Sequence, residues 1–210
     1  MDSTNKKLQE IAFLLKKQLP GRNAQEKMYP TDRKDILQNA EVNMHIRNAA
    51  VLLHLFPVGD DLYFILTQRK HYLREHAGQI SFPGGSYEEI DKSLMETALR
   101  EANEEIGIDR TTMYILGELT EVFIPNSNFL VRPFVSFSHT KPILKKDSDE
   151  VEEILLVPLS ELLDISNQKE MYKIKDGKEI RIPYYLLQKE VVWGATAIIL
   201  SEFREMLVAP

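Results

Sequence analysis

The sequence contains no cysteine and only one tryptophan. The lack of cysteine excludes disulfide bonds and thiolate metal sites, and the five histidines have no zinc-type spacing. There is no long apolar run and no N-terminal signal pattern, so we expect a cytoplasmic protein without a membrane span. Acidic residues outnumber basic ones, and the resulting net charge of −6 argues against broad nucleic-acid binding.

Strand and helix patterns alternate along the 210 residues, which are enough for one domain with a sizeable core. Such a mixture predicts an α/β protein with helices packed around a mixed sheet. We expect residues 1–44 to form a helical extension packed on a domain that spans residues 45–210. The patterns predict strands over 49–56, 62–68, 113–124, 129–138, 153–157, 171–175 and 179–187, and helices over 5–19, 32–40, 94–106, 158–163 and 193–208.

The helix predicted over 94–106 has clear local signals at both ends. Ser93 and Glu96 form an S-x-x-E capping box at its start. Gly107 supplies the left-handed residue after its last turn. At helical spacing the apolar residues form one continuous stripe: Leu94, Met95, Ala98, Leu99, Ala102 and Ile106.

Three glutamates lie at the edge of this stripe or just beyond it: Glu101, Glu104 and Glu105. Like charges one turn apart, as at Glu101 and Glu105, destabilise a helix by roughly 0.2–0.5 kcal/mol. A divalent cation would offset that cost, and carboxylate oxygens suit Mg²⁺ or Mn²⁺. Considered by spacing alone, an ordinary solvated acidic face is the more common explanation of such glutamates.

Residues 85–108 resemble the Nudix box, G-x5-E-x7-R-E-U-x-E-E-x-G-U with U apolar. Gly85 opens the motif, and its core is complete from Arg100 to Ile108. The first acid is Asp91 instead of Glu, and eight residues instead of seven separate it from Arg100. Both departures are similar to the coenzyme A pyrophosphatase branch of the family. We assign no metal role to Asp91.

Residues 65–85 are similar to the coenzyme A signature of that branch, L-L-T-x-R-[SA]-x3-R-x3-G-x3-F-P-G-G. The main departure is Lys70, which stands where the signature has a small residue. Arginine forks bind phosphate groups bidentately. Alternatively, Arg69 and Arg74 are solvated loop cations or partners of nearby acids. The resemblance implies substrate contacts from five residues: Arg69, Lys70, Arg74, Phe82 and Gly84.

The resemblance implies the α/β/α sandwich of Nudix proteins and a metal-dependent hydrolysis of pyrophosphate. Glu101 and Glu105 would coordinate Mg²⁺ or Mn²⁺ together with the carbonyl oxygen of Gly85. Glu104 would hold a further cation or its water. Arg100 would point away from the metal face and orient the carboxylates through an ion pair.

Glu104 or Glu150 would act as the general base, and Glu150 can equally be interpreted as a solvated loop acid. A Gly84-Gly85 turn would let the backbone approach the ligand closely. Trp193 is interpreted as an anchor in the core or at a helix start, with base stacking as the alternative.

The implied substrate is coenzyme A or its thioesters, cleaved to 4′-phosphopantetheine (or its acyl form) and adenosine 3′,5′-bisphosphate. One alternative is another nucleoside diphosphate derivative, such as ADP-ribose or a dinucleoside polyphosphate. The other is a non-catalytic module that binds a nucleotide metabolite. A homodimer is expected by analogy alone.

Overall fold

The computed structural model of the chain describes residues 3–33, 46–71 and 78–208. Within these ranges it contains eleven strands and five α-helices. The strands are β1 (Arg47–Val58), β2 (Asp61–Arg69), β3 (Ile80–Ser81), β4 (Gly84–Ser86), β5 (Tyr114–Glu118), β6 (Val122–Ile124), β7 (Phe129–Phe137), β8 (Val151–Pro158), β9 (Gln168–Lys175), β10 (Lys178–Leu187) and β11 (Glu190–Trp193). The helices are α1 (Ser3–Leu14), α2 (Arg22–Gln25), α3 (Leu94–Ile106), α4 (Leu159–Leu163) and α5 (Gly194–Val208).

A mixed sheet with the order β3-β2-β1-β7-β5 lies at the centre of the molecule. β1 pairs in parallel with β7 and antiparallel with β2. Three further strands join this sheet at its sides, with β4 on β1, β6 on β7 and β8 on β2. The strands β9, β10 and β11 form a separate antiparallel sheet.

The side chains of β1 alternate between two hydrophobic clusters, as expected for a strand that is covered on both faces. Ala50 and Leu52 pack with the apolar stripe of α3. Ala49 and Leu53 belong to the larger cluster, which includes residues of α1 and α5. Helices therefore cover both sides of the sheet, and the predicted α/β/α sandwich is confirmed.

Helix α3 has the predicted ends. The Ser93 hydroxyl accepts a hydrogen bond from the backbone N–H of Glu96 at 3.3 Å. Gly107 has a φ of 67°, and its N–H donates to the carbonyl of Asn103. The cap and the left-handed glycine fix where the helix begins and ends, and they thereby fix the orientation of its glutamates.

Several predicted boundaries are wrong. The strand predicted over 113–124 is divided into β5 and β6, because the backbone N–H and hydroxyl of Thr120 bond to the buried carboxylate of Glu202. Trp193 ends β11, and the last helix begins only at Gly194. The first helix ends at Leu14 instead of residue 19, and the N–H groups of Lys16 and Lys17 then bond to carbonyls three residues back, which tightens the last turn.

The segment before β1 is attached to α5. The side-chain amide of Gln25 donates to the carboxylate of Glu202 at 2.8 Å, and Leu8 and Ile11 of α1 are buried in the larger cluster. Most of the helix predicted over 32–40 lies outside the described residues, as does the proposed domain boundary after residue 44. Those two predictions stay open.

None of the helices in the described ranges combines the length and apolar character that crossing a membrane requires.

Candidate active site

Strand β4 lies directly against two of the glutamates of α3. The backbone N–H of Gly84 donates to Oε2 of Glu105 at 3.2 Å. A Cβ atom at Gly85 would lie 2.4 Å from Oε1 of Glu101. Any side chain at Gly85 would therefore displace that carboxylate, so the glycine is required by the site itself.

The two glycines belong to a strand, and the expected Gly-Gly turn is wrong. Gly84 lies opposite Val51 and Gly85 lies opposite Ala50 in the antiparallel pairing with β1. At Gly84 the φ is 153°, and a Cβ atom would lie 2.4 Å from the carbonyl oxygen of Ala50. The close approach that the glycines allow is thus an approach to β1 and α3.

Glu105 is buried, with only 4% of the residue exposed. Burial raises its pKa to about 8, and the charges of Glu101 and Glu150 add to this effect. The Arg69 guanidinium, whose Nη1 lies 3.6 Å from Oε1 of Glu105, and the N–H of Gly84 oppose it. The local protein environment therefore does not by itself stabilise a negative charge at Glu105.

The pKa of the Glu101 carboxyl group is also raised. Burial raises the pKa of its carboxyl group, the Arg100 guanidinium at 2.9 Å opposes this, and Glu104 and Glu150 raise it further. Glu104 itself is exposed and accepts a hydrogen bond from Nη1 of Arg100 at 3.0 Å. The acids named by the motif are thus close enough to influence one another.

Arg100 joins the acids of this cluster. Its Nε donates to Oδ1 of Asp91 at 2.9 Å, and its Nη1 donates to Glu101 and Glu104. The ion pairs that we expected between Arg100 and the carboxylates are present, although Nη1 reaches Glu101 and the side chain therefore does not point away from this acid. Asp91 is buried and also accepts from the hydroxyl of Thr97 at 2.9 Å. The hydrogen bonds from Arg100 hold the pKa of the Asp91 carboxyl group well below its usual range.

Among the residues that the structure describes, no three acidic or histidine side chains converge as a ready-made metal site. Glu101 and Glu104 are turned toward Arg100, and Glu105 is turned toward Gly84 and Arg69. The donor set still fits a hard divalent cation, because it consists of carboxylates whose negative charges are mutually unfavourable. Side-chain rotations would be needed to bring them onto one ion.

Glu150 is exposed and follows a loop that is fixed to the end of α3. The N–H of Lys145 donates to the carbonyl of Ile106 at 2.9 Å, and the N–H of Asp147 donates to that of Glu105 at 2.8 Å. These bonds satisfy carbonyls that the helix end leaves free. They also explain how Glu150 comes close enough to raise the pKa of Glu101 and Glu105.

A cavity of about 720 Å³ extends from β4 between the main sheet and the sheet of β9–β11. Arg69, Phe82, Gly84 and Gly85 line it, although Phe82 is only 2% exposed and is largely part of the core. Lys70 is not among the lining residues, and its Nζ lies 2.9 Å from the Glu152 carboxylate.

Arg74 lies outside the described residues. The remaining basic residues of the cavity wall were not identified from the sequence, because they come from separate segments and form no motif: Arg33, Arg47, Lys173 and Lys175.

The family model of the NUDIX domain matches residues 45–177. A protein from Photorhabdus laumondii, described as an uncharacterized Nudix hydrolase NudL, is 36% identical over 161 residues, which are 77% of this chain and 85% of the relative. The protein of the same name from Yersinia pestis is 32% identical over 161 residues, or 77% of this chain and 80% of the relative.

Solved structures resemble the chain only in part. A binary complex of the C. elegans Ap4A hydrolase has a TM-score of 0.48 and 18% identity, and covers 58% of this chain and 86% of its own. The NUDIX domain of Shewanella oneidensis NrtR, solved with ADP ribose, has a TM-score of 0.46 and 17% identity over 62% of this chain and 85% of its own.

The family match and the two relatives agree with the motif and with the carboxylates that the fold gathers beside β4. The chain belongs to the Nudix family and is a hydrolase of phosphoric anhydrides.

Proposed function

We propose that the enzyme hydrolyses the pyrophosphate bond of coenzyme A or its thioesters. The products would be 4′-phosphopantetheine (or its acyl form) and adenosine 3′,5′-bisphosphate. The observation that carries this proposal is the position of Arg69, which belongs to the coenzyme A signature. Its guanidinium lies 3.6 Å from Glu105 and also lines the cavity, so it can bind a phosphate group that spans the two.

The cavity has the chemical character that such a substrate needs. Its wall carries five basic residues and one acidic residue, in a chain whose net charge is −6. It also has apolar surface suited to an aromatic base or an alkyl chain, contributed by Ile80, Phe82, Ile124, Phe129, Val131, Ile174, Ile180, Ile182, Trp193 and Ile199.

Glu101, Glu104 and Glu105 would hold Mg²⁺ or Mn²⁺, with the carbonyl of Gly85 as a further ligand. When bound, these cations would neutralise the diphosphate and make a water molecule more acidic. Arg100 would restrain Glu101 and Glu104 through its ion pairs, and Asp91 would fix Arg100 from the opposite side.

A glutamate would take the proton from the attacking water as its oxygen bonds to phosphorus and the anhydride P–O bond breaks. We favour Glu150 over Glu104 for this role. Glu104 already accepts a hydrogen bond from Arg100 at 3.0 Å, whereas Glu150 is exposed and its charge acts on both Glu101 and Glu105. A kcat that falls more in Glu150→Gln than in Glu104→Gln would support this choice.

A hydrolysis panel tests the substrate assignment. Coenzyme A, dephospho-coenzyme A, ADP-ribose and diadenosine tetraphosphate would be compared with Mg²⁺ and with Mn²⁺, and the products separated by chromatography. We expect the largest kcat/KM for coenzyme A. A larger kcat/KM for ADP-ribose or for diadenosine tetraphosphate would identify that compound as the preferred substrate of the same hydrolysis reaction. Binding without hydrolysis of any compound would favour a metabolite-binding module.

Replacing Arg69 tests its role at the pyrophosphate. Arg69→Gln should lower kcat/KM for coenzyme A and for dephospho-coenzyme A by the same factor, on the order of 10-fold or more, because both share the pyrophosphate. Lys70→Gln is the matched control, since Lys70 pairs with Glu152 and does not line the cavity. A loss confined to coenzyme A would assign Arg69 to the ribose phosphate instead.

The cytoplasmic location and the homodimer stay predictions.

A further inference from the structure

The end of the cavity away from the carboxylates is rich in basic residues that the hydrolysis reaction does not use. Arg33, Arg47, Lys173 and Lys175 line the cavity together with Arg69, and Asp32 is the only acidic residue of its described wall. Lys175 pairs with Asp32 at 2.9 Å. The other three cations come from three different parts of the chain, and none of them forms an ion pair with a described carboxylate.

Arg47 and Lys173 each lie over an aromatic ring of the same wall. The guanidinium carbon of Arg47 is 4.1 Å from the ring centre of Phe129, and Nζ of Lys173 is 5.3 Å from that of Trp193. A cation on an aromatic face is held in position while its remaining N–H groups stay available for an anion.

Arg33 has a spare donor of its own. Its guanidinium lies 4.3 Å from the ring centre of Tyr29, and Nη2 donates to the carbonyl of Phe123 at 2.7 Å. Its Nε is buried without a hydrogen-bond partner. An N–H that is buried without a partner is unfavourable, so the described residues leave part of the hydrogen-bonding capacity of Arg33 unused.

The distance along β1 fits two separate anion sites. Gly84, which contacts Glu105, lies opposite Val51, and Arg47 lies at the start of the same strand. At roughly 3.3 Å per residue, about 13 Å of strand separates Arg47 from Val51. Because the ribose alone joins a 5′-pyrophosphate to a ribose phosphate, the long side chains of Arg47 and Lys173 would have to reach back over part of that span.

We propose that Arg33, Arg47 and Lys173 form a subsite for a second phosphate group, a phosphomonoester carried on the ribose of the substrate. The inference rests on the proposed function, because it names the groups that distinguish coenzyme A from its dephosphorylated form. It also assigns the ribose phosphate to residues outside the signature loop, which leaves Arg69 for the pyrophosphate.

The test compares Arg47→Gln and Lys173→Gln with Lys178→Gln. Lys178 is an exposed lysine of the hairpin that carries Lys173, but it does not line the cavity. The ratio of kcat/KM for coenzyme A to that for dephospho-coenzyme A should fall about 10-fold in each of the first two variants. The control should keep the wild-type ratio. An unchanged ratio in Arg47→Gln and Lys173→Gln, or an equal fall in Lys178→Gln, would overturn the subsite.

A binding measurement without metal separates the subsite from the proposed reaction. Calorimetry would compare adenosine 3′,5′-bisphosphate with adenosine 5′-monophosphate. We expect the wild type to bind the bisphosphate about 10-fold more tightly, and Arg47→Gln to lose that difference. This result would uphold the subsite even if coenzyme A were not cleaved. Equal affinities in the wild type would reject the subsite even if it were.

Discussion

The guanidinium of Arg100 contacts three carboxylates, and Asp91 is the most deeply buried of them. The sequence left the role of Asp91 open, because the acid occurs one residue out of register with the Nudix pattern. Its hydrogen bonds to Arg100 and Thr97 show that it stabilises the arginine. The register of a loop residue has no periodic signal, so only the folded chain reveals this pairing.

Asp91→Asn should lower the free energy of unfolding by about 3 kcal/mol, because it leaves Arg100 partly buried without its main counter-charge. Urea unfolding of the variant and the wild type measures this difference. Glu89→Gln is the control, since Glu89 is an exposed acid of the same loop. Equal stabilities of Asp91→Asn and Glu89→Gln would show that the Asp91–Arg100 pair contributes little.

His54 makes stability depend on pH. The ring is fully buried between the hydroxyls of Ser136 (2.8 Å) and Ser138 (3.0 Å), and burial lowers its pKa to about 4. The unfolded chain, whose histidine has a pKa near 6.5, takes up a proton first on acidification. The contribution of His54 to the free energy of unfolding should therefore fall by about 2 kcal/mol between pH 7 and pH 5.

Urea unfolding at the two pH values tests this contribution when His54→Gln is measured in parallel. The variant lacks the group, so its stability should change less with pH than that of the wild type. Identical pH dependence in both proteins would mean that His54 does not titrate differently in the folded and unfolded chains.

At the scale of the elements, α3 was predictable and β4 was not. The Ser93 cap, the apolar stripe and Gly107 are local signals that agree with one another. The Gly84-Gly85 pair is a local signal for a turn, yet the pair is held extended by β1 and by the glutamates of α3. Contacts made far along the chain decided the conformation of those two residues.

The two glycines should respond differently to alanine. At Gly84 the new Cβ would meet the carbonyl oxygen of Ala50 at 2.4 Å, which is backbone. The variant Gly84→Ala should lose about 2–3 kcal/mol of stability. At Gly85 the Cβ would meet the carboxylate of Glu101, a side-chain group that can shift, so Gly85→Ala should keep its Tm and lose at least about 10-fold in kcat. Thermal unfolding and turnover of the two variants distinguish these effects.

A similar stability loss in both glycine variants, with no selective loss of turnover in Gly85→Ala, would contradict the contact between Gly85 and Glu101. A serine replacement in the exposed turn at Gly59 provides a control, because no atom lies within 4 Å of its added Cβ. That position has a positive φ, so the control measures the cost of backbone strain alone.

At the scale of the whole molecule, the cavity is made by segments that are distant in sequence. Arg33 lies before residues 45–177, which match the NUDIX domain, whereas Arg47 begins β1 and Lys173 lies in β9. Each is an ordinary charged residue within its own segment, and no spacing links them. The acidic site could be predicted because one helix carries it, whereas the basic end of the cavity required the tertiary structure.

The attachment of the N-terminal segment to α5 depends on Glu202. In Glu202→Gln a side-chain N–H would face the donors of Gln25 and Thr120, so the free energy of unfolding should fall by about 2 kcal/mol. Hydrogen exchange of amides 22–28 should become faster. Glu205→Gln is the matched control, because the exposed pair of Glu205 with Lys27 (2.7 Å) is worth about 0–1 kcal/mol. Equal effects of both variants would argue against a special role of Glu202.

The most direct test of the central claim is the turnover of Glu105→Gln and Glu101→Gln at saturating Mg²⁺. We propose that these carboxylates are kept together because divalent cations use them during diphosphate cleavage. Glutamine preserves their shape and removes the unfavourable charge, so the Tm should stay unchanged or rise while kcat falls at least about 100-fold. Near-normal kcat in both variants, with the fold intact, would contradict the account.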